Sequence, residues 1–205
     1  MVHVYWAEIP DGERKPGLQS KWAHRLLETA LKRQYPEIDS IFLERDAKGK
    51  PFLPEHPGIH INLSHSGRYA ACAIGEKPVG IDVECHKGRK RRDLVVKKFH
   101  PKEQKAYEVS AEDKRELLFY ELWVLKESFM KAEGSGLGIP LNSFYMEEVY
   151  SGEGQVRQSR NDRSYYYKLY PFHDRALSLA VCSEEAVFSK EPIQISFEAL
   201  QAFGN

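Results

Sequence analysis

The sequence has little cysteine, no excess charge of either sign and no long apolar run. Its 205 residues include three cysteines, and 30 lysines and arginines balance 30 aspartates and glutamates. The cysteines form no CxxC pair, so we expect buried, reduced thiols rather than a disulfide framework or a zinc site. Zero net charge argues against a protein whose overall field attracts nucleic acid. No apolar run reaches the roughly 20 residues of a membrane-spanning helix, and the first residues do not resemble a secretory signal, so we expect a cytoplasmic protein.

One segment departs from this balance of charge. The stretch HKGRKRRDLVVKKFH, residues 86–100, contains seven lysines and arginines. Charge runs of this kind are usually solvated surface, and the alternative is a docking edge for an acidic partner. Composition alone does not separate the two.

Apolar periodicity predicts the helices. In SKWAHRLLETALKRQYP, residues 20–36, apolar side chains recur at helical spacing, with Ser20 at the capping position. A second helical tract begins near Pro101 and leads into a long helix from about 113 to 133, which GSGLGIP ends. The Gly- and Pro-rich passage FLERDAKGKPFLPEHPGIH, residues 42–60, predicts an exposed loop without a regular element through Lys50.

Short β-like segments follow each helix. IHINL, YAACAI and VGIDVE come after the first helix, and NSFYMEEVYS, SYYYKLYPF, ALSLAVCSE and IQISFEAL come after the last. Their tight connections predict antiparallel sheets. The tails YAACAIGE and LSLAVCSE look alike, which favours two related α+β lobes without proving a repeat.

Two carboxylates lie on one face of a predicted strand. In GIDVE, residues 80–84, side chains alternate, so Asp82 and Glu84 point to the same side, roughly 7 Å apart at the backbone. Two like charges this close are unfavourable unless a cation lies between them, and such oxygen ligands suit Mg²⁺ bound to a phosphate. The alternative is an ordinary half-buried strand with a wet polar face.

A polar turn precedes that strand. NLSHSGR, residues 62–68, offers the hydroxyl of Ser64, the imidazole of His65 and backbone N–H groups near Gly67, which together can receive phosphate oxygens. A turn that is merely rich in small polar residues is the commoner alternative.

The long helix carries charges beside its apolar face, within WVLKESFMKAEG, residues 123–134. Glu127 and Lys131 are four residues apart, the spacing of a routine surface ion pair. Lys126 projects toward the apolar side, where a lysine must reach solvent or meet an anion. We expect one carboxylate and two ammonium groups at the border between core and cleft, a set that suits a metal-chelated polyphosphate.

Taken in order, NLSHSGR, GIDVE and WVLKESFMKAEGSGLGIPL resemble the motifs of the Sfp-type 4′-phosphopantetheinyl transferases. GKP at 49–51, RQY at 33–35 and the late ISFEAL also match, so the resemblance covers nearly the whole chain. It implies a pseudo-twofold α+β fold of two similar lobes, each with an antiparallel sheet packed on a long helix. The lobes would be residues 1–79 and 80–191, with 192–205 returning to the first.

The resemblance also implies a reaction. Such enzymes move the 4′-phosphopantetheine group from coenzyme A to a serine hydroxyl of an acidic acyl or peptidyl carrier protein and release 3′,5′-ADP. Asp82 and Glu127 would hold Mg²⁺ in the cleft, with Glu84 as a third ligand directly or through water. Glu127, or a water that it orients, would accept the serine proton. Lys131 would neutralise the α-phosphate of the leaving group. With both lobes in one chain, we expect a monomer.

The matching positions further assign the binding of coenzyme A. Lys50, Ser64 and His65 would hold its 3′-phosphate end, and Lys126 would be a cation that faces the cleft, beside Lys131.

One departure from the family lies ahead of the first helix. Relatives usually carry a longer basic stretch, and here only PDGERKPGLQS, residues 10–20, occupies that place. Ser20 falls where a phosphate-binding hydroxyl is expected, and Arg14, Lys15 and Lys21 are the available cations.

Two other functions remain open at this point. A non-catalytic relative would bind coenzyme A or a carrier protein, but the joint presence of Asp82, Glu84, Glu127 and Lys131 speaks against a decayed site. A nucleic-acid-binding protein would use residues 86–100, but neutral charge and the absence of interleaved aromatics there speak against it.

Overall fold

The computed structural model describes residues 1–13, 17–88, 91–172 and 176–202, with Leu137 described by its backbone alone. The helices are α1 (Leu18–Gln34), α2 (Arg92–Val96), α3 (Pro101–Val109), α4 (Glu112–Glu133) and α5 (Phe197–Ala202). The strands are β1 (His3–Glu8), β2 (Glu44–Arg45), β3 (Pro51–Phe52), β4 (His60–Ser66), β5 (Tyr69–Gly75), β6 (Val79–Cys85), β7 (Phe144–Met146), β8 (Glu153–Gln158), β9 (Tyr165–Tyr170), β10 (Leu177–Ser183) and β11 (Ile193–Gln194). Within these ranges, no helix combines the length and the apolar composition that crossing a bilayer requires.

The strands form two main sheets and one small hairpin. The first sheet has the order β11-β1-β5-β4, in which β1 runs parallel to β11 and antiparallel to β5. The second sheet has the order β6-β10-β9-β8-β7 and is antiparallel throughout. β2 and β3 pair with each other. The predicted α+β class with antiparallel sheets is confirmed.

Each main sheet carries a long helix on its outer face. α1 packs on the first sheet through a cluster that includes Leu27 and Cys72, and α4 packs on the second through a cluster that includes Phe129 and Ala180. The inner faces of the two sheets meet in a third cluster, where β1 and β5 contact β6 and β10. The result is four layers, helix, sheet, sheet and helix, each burying its apolar face against the next.

The last described segment returns to the first sheet. Tyr5 of β1 lies opposite Ile193 of β11, and the Ile195 N–H donates to the Trp6 carbonyl at 2.9 Å. Ile195 and Leu200 are buried in the cluster beneath α1.

A strand over IQISFEAL was expected, and that prediction is wrong beyond Gln194. The chain turns into α5 instead, where the Ser196 hydroxyl accepts the Ala199 N–H at 3.3 Å and satisfies one of the free donors at the start of the helix.

The segment predicted as an exposed loop contains the β2–β3 hairpin, so that part of the prediction is wrong, whereas no regular element runs through Lys50, as expected. The Asp46 carboxylate accepts the backbone N–H groups of Lys48 and Lys50, and Gly49 takes a positive φ of 84°. These contacts close a tight turn, and Pro51 is tolerated because β3 is a two-residue edge strand.

The prediction of buried, reduced cysteines is confirmed for Cys72 and Cys182, whereas Cys85 is free but half-buried. All three are free, with Cys72 and Cys182 buried in the two sheets. Burial raises the pKa of both thiols, which keeps them protonated and unreactive.

Candidate active site

Helix α4 lies directly on β6 at Gly80. A Cβ atom placed on Gly80 would come 2.1 Å from the Ser128 carbonyl oxygen and 2.3 Å from the Ala132 nitrogen, so only glycine allows this approach. Asp82 and Glu84 follow at every second position of the strand and share the face of Gly80. Both carboxylates therefore project to the side of β6 that α4 covers.

Three polar side chains from three elements meet beyond Gly80. The Lys131 ammonium of α4 lies 2.6 Å from Asp82 Oδ1 and 3.1 Å from the Ser64 hydroxyl of β4. The Ser64 hydroxyl donates to the same Asp82 oxygen at 2.9 Å. Lys131 also donates to the Ile81 carbonyl at 3.0 Å. The structure therefore brings together Ser64, Asp82 and Lys131, which the motifs placed far apart in sequence.

Lys50 binds the same region from the β2–β3 hairpin. Its ammonium donates to the Lys131 carbonyl at 2.7 Å and to the Val79 carbonyl at 3.0 Å. Burial lowers the pKa of Lys50 to about 8. The neighbouring Lys48 donates to the Gly134 carbonyl at 2.8 Å, so the hairpin is tied to the C-terminal end of α4, where free carbonyl groups attract cations.

A pocket of about 240 Å³ opens between this hairpin, β4 and the end of α4. Four cationic side chains line it, namely Arg45, Lys48, Lys50 and Lys131. Among the described residues of its wall there is no carboxylate. A concave surface with this charge attracts anions, and its size suits a phosphate with part of a nucleoside.

His65 follows Ser64 on β4, next to the same cations. Desolvation of its ring, and then the charges of Lys131 and His24, lower the pKa of His65. His65 is therefore biased toward its neutral form, in which one ring nitrogen donates and the other accepts.

The start of α1 reaches this region through His24. Its Nδ1 lies 2.7 Å from the Ser20 carbonyl oxygen and its Nε2 lies 3.2 Å from an Arg45 guanidinium nitrogen. The prediction that Ser20 caps α1 is wrong, since the helix begins at Leu18 after Gly17, whose φ is 87°. Ser20 lies within the first helical turn, one turn before His24.

The prediction that Lys126 faces the cleft is wrong. Its side chain is fully buried, and its ammonium lies 2.7 Å from Glu103 Oε2 of α3. It also donates to the carbonyls of Leu141 at 2.8 Å and Phe144 at 3.1 Å. These partners satisfy the ammonium inside the protein, so Lys126 joins α4 to α3 and β7 and does not contact a ligand in the cleft.

The three predicted metal ligands differ in burial. Glu84 and Glu127 are half-buried, whereas Asp82 is buried and paired with Lys131. In the described part of the chain, no group of three or more His, Cys, Asp or Glu side chains is arranged to hold a metal ion. A joint metal site of Asp82, Glu84 and Glu127 thus stays a prediction.

Some candidate residues lie outside the described residues, namely Arg14, Lys15, Arg89 and Lys90. Sequence reasoning missed Arg45 and Lys48 of the pocket wall, because the hairpin that presents them was read as a loop. It also missed Asn62 and Ser66, whose side chains contact β6. Asn62 and Ser66 lie two residues before and after Ser64, and this spacing, which puts all three side chains on one face of a strand, was the available signal.

Comparisons with known proteins place the sequence of this chain in a family. A sequence model of the 4′-phosphopantetheinyl transferase superfamily matches residues 78–182, the segment that contains β6 and α4. The 4′-phosphopantetheinyl transferase Sfp of Bacillus subtilis strain 168 is 34% identical over 178 residues, 85% of this chain and 78% of the relative. A second 4′-phosphopantetheinyl transferase of Bacillus subtilis is 36% identical over 140 residues, 68% of this chain and 62% of the relative.

A more distant relative is similar over a shorter stretch. The human L-aminoadipate-semialdehyde dehydrogenase-phosphopantetheinyl transferase is 39% identical over 114 residues, which are 49% of this chain and 37% of that protein. The similarity to Sfp, by contrast, spans most of both chains. This chain therefore belongs to the 4′-phosphopantetheinyl transferase superfamily and is an enzyme of the Sfp type.

Proposed function

We propose that this protein transfers the 4′-phosphopantetheine group from coenzyme A to a serine hydroxyl of an apo acyl or peptidyl carrier protein and releases 3′,5′-ADP. The observation that carries the proposal is the meeting of Ser64, Asp82 and Lys131 at the edge of a cationic pocket. Phosphoryl-transfer enzymes need such positioned charges more than they need covalent chemistry.

Coenzyme A binds with its phosphorylated nucleoside in the pocket. Lys50, Ser64 and His65 hold the 3′-phosphate end, and Arg45 and Lys48 of the pocket wall beside Lys50 add positive charge. Lys50 is well suited to this role because its ammonium is desolvated, so an incoming phosphate gains more than it would from a hydrated lysine. Ser20 and Arg14 add contacts from the start of α1 in this proposal.

Asp82, Glu84 and Glu127 provide the metal ligands. All are hard oxygen donors, and Asp82 with Glu84 shares the strand face against α4, so the donor set fits Mg²⁺, which commonly uses one or two carboxylates plus substrate phosphates. When bound, Mg²⁺ supplies positive charge to the diphosphate of coenzyme A. The Lys131 side chain is 29% exposed and flexible, so its ammonium can move from Asp82 to a phosphate oxygen.

The chemical step is a single displacement. Glu127 accepts the proton of the serine hydroxyl, and the serine oxygen forms a bond to the β-phosphorus of the coenzyme A diphosphate. The bond between that phosphorus and the oxygen it shares with the α-phosphorus breaks. Lys131 neutralises the charge that develops on the α-phosphate, which leaves as 3′,5′-ADP.

An acidic carrier protein docks at the segment of residues 86–100 in this proposal. Arg91, Lys97 and Lys98 are exposed there, beside the exposed Leu94. Complementary charge of this kind steers the encounter and sets its orientation. The enzyme works as a monomer, since both sheets of the site belong to one chain. Its location in this proposal is the cytoplasm.

The test is an intact-mass measurement of product. The protein is incubated with an apo carrier protein, coenzyme A and Mg²⁺, and we expect the carrier to gain the mass of one phosphopantetheine group. Glu127→Gln and EDTA should each abolish the gain, whereas Glu112→Gln, an exposed change at the start of α4, should not. Binding of coenzyme A without any adduct, across carriers of several types, would instead identify a non-catalytic relative.

A further inference from the structure

β4 and β6 are the facing edges of the two main sheets, and side chains join them. β4 ends the first sheet and β6 ends the second, and no backbone ladder links the two strands in the described part of the chain. Alternate residues of β4 instead supply side-chain oxygens. Asn62 Oδ1 accepts the Ile81 N–H at 2.9 Å, Ser64 Oγ accepts the Val83 N–H at 3.4 Å and Ser66 Oγ accepts the Cys85 N–H at 3.1 Å. We call Asn62, Ser64 and Ser66 the seam.

The same edge of β6 also presents backbone carbonyl groups, which accept hydrogen bonds from lysines of the proposed active site. Lys50 donates to the Val79 carbonyl at 3.0 Å and Lys131 donates to the Ile81 carbonyl at 3.0 Å. The edge of β6 is thus hydrogen-bonded by seam oxygens at its N–H groups and by site lysines at its carbonyls. Structural contacts and site residues therefore share one strand edge.

The seam consists of hydrogen bonds, which require a defined alignment of donor and acceptor, unlike apolar packing between sheets. Asn62, Ser64 and Ser66 are all buried, so an apolar side chain at Asn62 or Ser64 would leave a buried N–H group of β6 unsatisfied, and one at Ser66 would leave the part-buried N–H of Cys85 unsatisfied. The three contacts repeat every two residues, so a one-residue slip of β6 along β4 loses all of them and a two-residue slip loses at least one. The seam therefore fixes which residue of β6 lies beside Ser64.

We propose that Asn62 and Ser66 are positioning residues for the transfer reaction. They hold β6 in the register in which Ser64, between them, contacts both Asp82 and Lys131. In this register, side chains of the first sheet that bind coenzyme A and side chains of the second sheet that act on it contact the same substrate molecule. The role rests on the function proposed above and adds two residues to it.

The test compares the variants Asn62→Ala and Ser66→Ala with a matched control, Ser183→Ala. Ser183 is a buried serine whose hydroxyl donates to the Pro78 carbonyl at 2.9 Å, outside the seam. In both seam variants we expect the KM for coenzyme A to rise about tenfold, because a substrate held from both sheets is sensitive to their alignment. The control, which removes the hydrogen bonds of the Ser183 hydroxyl with the Pro78 carbonyl and the Glu185 N–H, should lower only the amount of folded enzyme and leave that KM unchanged.

Amide hydrogen exchange supplies a readout that does not depend on activity. The Ile81 amide should exchange faster in Asn62→Ala and the Cys85 amide faster in Ser66→Ala, each relative to the wild type. Asn62 also lines the pocket proposed for coenzyme A, so Ser66→Ala, which removes a single hydroxyl outside that wall, decides the question.

The two proposals fail in different ways. If the wild type makes holo carrier protein and the seam variants keep the KM of the Ser183→Ala control, the positioning role is overturned and the transferase function stands. If the wild type makes no holo carrier protein, the function is overturned and the positioning role with it.

Discussion

Lys126 is buried and Lys50 is half-buried, and their ammonium groups contact different partners. Lys126 faces the carboxylate of Glu103, which also accepts the N–H groups of His100 and Met146, so that ion pair is surrounded by completed hydrogen bonds. Lys50 donates to two carbonyl oxygens, and its lowered pKa reports the cost of keeping that charge away from water. The first arrangement stabilises the fold, whereas the second leaves an ammonium ready for an anion.

Replacing Lys126 should be costly. Lys126→Met leaves the Glu103 carboxylate buried without its cation, and we expect a loss of about 3 to 5 kcal/mol in the free energy of unfolding, measured with urea. The double variant Lys126→Met/Glu103→Leu should recover part of this loss. Arg92→Met, which breaks the more exposed pair with Glu116, should cost far less. Equal losses for Lys126→Met and Arg92→Met would contradict the role assigned to burial.

The lowered pKa of Lys50 predicts a pH dependence of ligand binding. Its ordinary value is 10.5, and in the folded protein it falls to about 8, so the free enzyme loses this charge as the pH rises through about 8. We expect the affinity for 3′,5′-ADP, measured by calorimetry, to fall over that range. Lys50→Arg keeps its charge and should flatten the dependence, whereas Lys48→Arg on the same hairpin should not.

The same shift has a consequence for stability with a definite sign. Between pH 8 and 10.5 the unfolded chain retains the Lys50 proton that the folded protein has lost, so unfolding takes up a proton. The free energy of unfolding of the wild type, relative to Lys50→Met, should therefore rise with pH in this window. A wild-type affinity for 3′,5′-ADP that does not change with pH would contradict the expected loss of binding. A free energy of unfolding that falls with pH relative to Lys50→Met would contradict the expected gain in stability.

Among the elements, α4 determines the geometry of the site. Its bounds could be predicted to within a residue, because apolar periodicity and the glycines after it are local signals. Its contact with Gly80 could not be predicted, since sequence does not reveal which helix approaches a strand glycine. For the same reason helical periodicity placed Lys126 near the apolar side but could not identify its partner Glu103, which lies in another helix. The sequence did not predict α2 and β8, because they lie in polar segments without periodicity. The expected strand over NSFYMEEVYS is shorter in the structure and corresponds to β7.

A side chain at Gly80 should separate α4 from β6. The Cβ of Gly80→Ala would overlap backbone atoms of Ser128 and Ala132, which cannot move aside without shifting the helix. We expect a loss of about 3 kcal/mol or more in the free energy of unfolding and a large fall in transfer activity, because Lys131 moves with the helix. Gly58→Ala serves as the control, since its Cβ would meet nothing within 4 Å. Similar melting temperatures for the two variants would show that the approach of α4 is looser than described.

In the whole molecule, site residues come from both sheets and from the hairpin between them. The motifs predicted the individual residues Asp82, Glu127 and Lys131 from sequence, but not which of them meet, because that depends on the stacking of two sheets. The net charge of zero likewise says nothing about residues 86–100, where positive charge is concentrated. Long-range attraction of a carrier protein must come from such a local region.

Reversing the charge of that region tests its role in docking. The variant Arg89→Glu/Lys90→Glu/Arg91→Glu should raise the KM for an acidic carrier protein about tenfold, because it removes electrostatic steering. The effect should shrink as salt is added, since salt screens exposed charges. The KM for coenzyme A, measured in the same series, should stay constant and serves as the internal control. Carrier kinetics equal to the wild type at low salt would rule out this docking edge.

The pairing of β11 with β1 imposes an order on folding. Residues 193–194 lie beside residues 5–6, so the first sheet is complete only after almost the whole chain is available. Contacts at such sequence separation slow folding, because a long loop must close before they form. During synthesis the first sheet must therefore keep an open edge until residues 193–194 have left the ribosome, whereas α4 and the second sheet between residues 79 and 183 can assemble earlier.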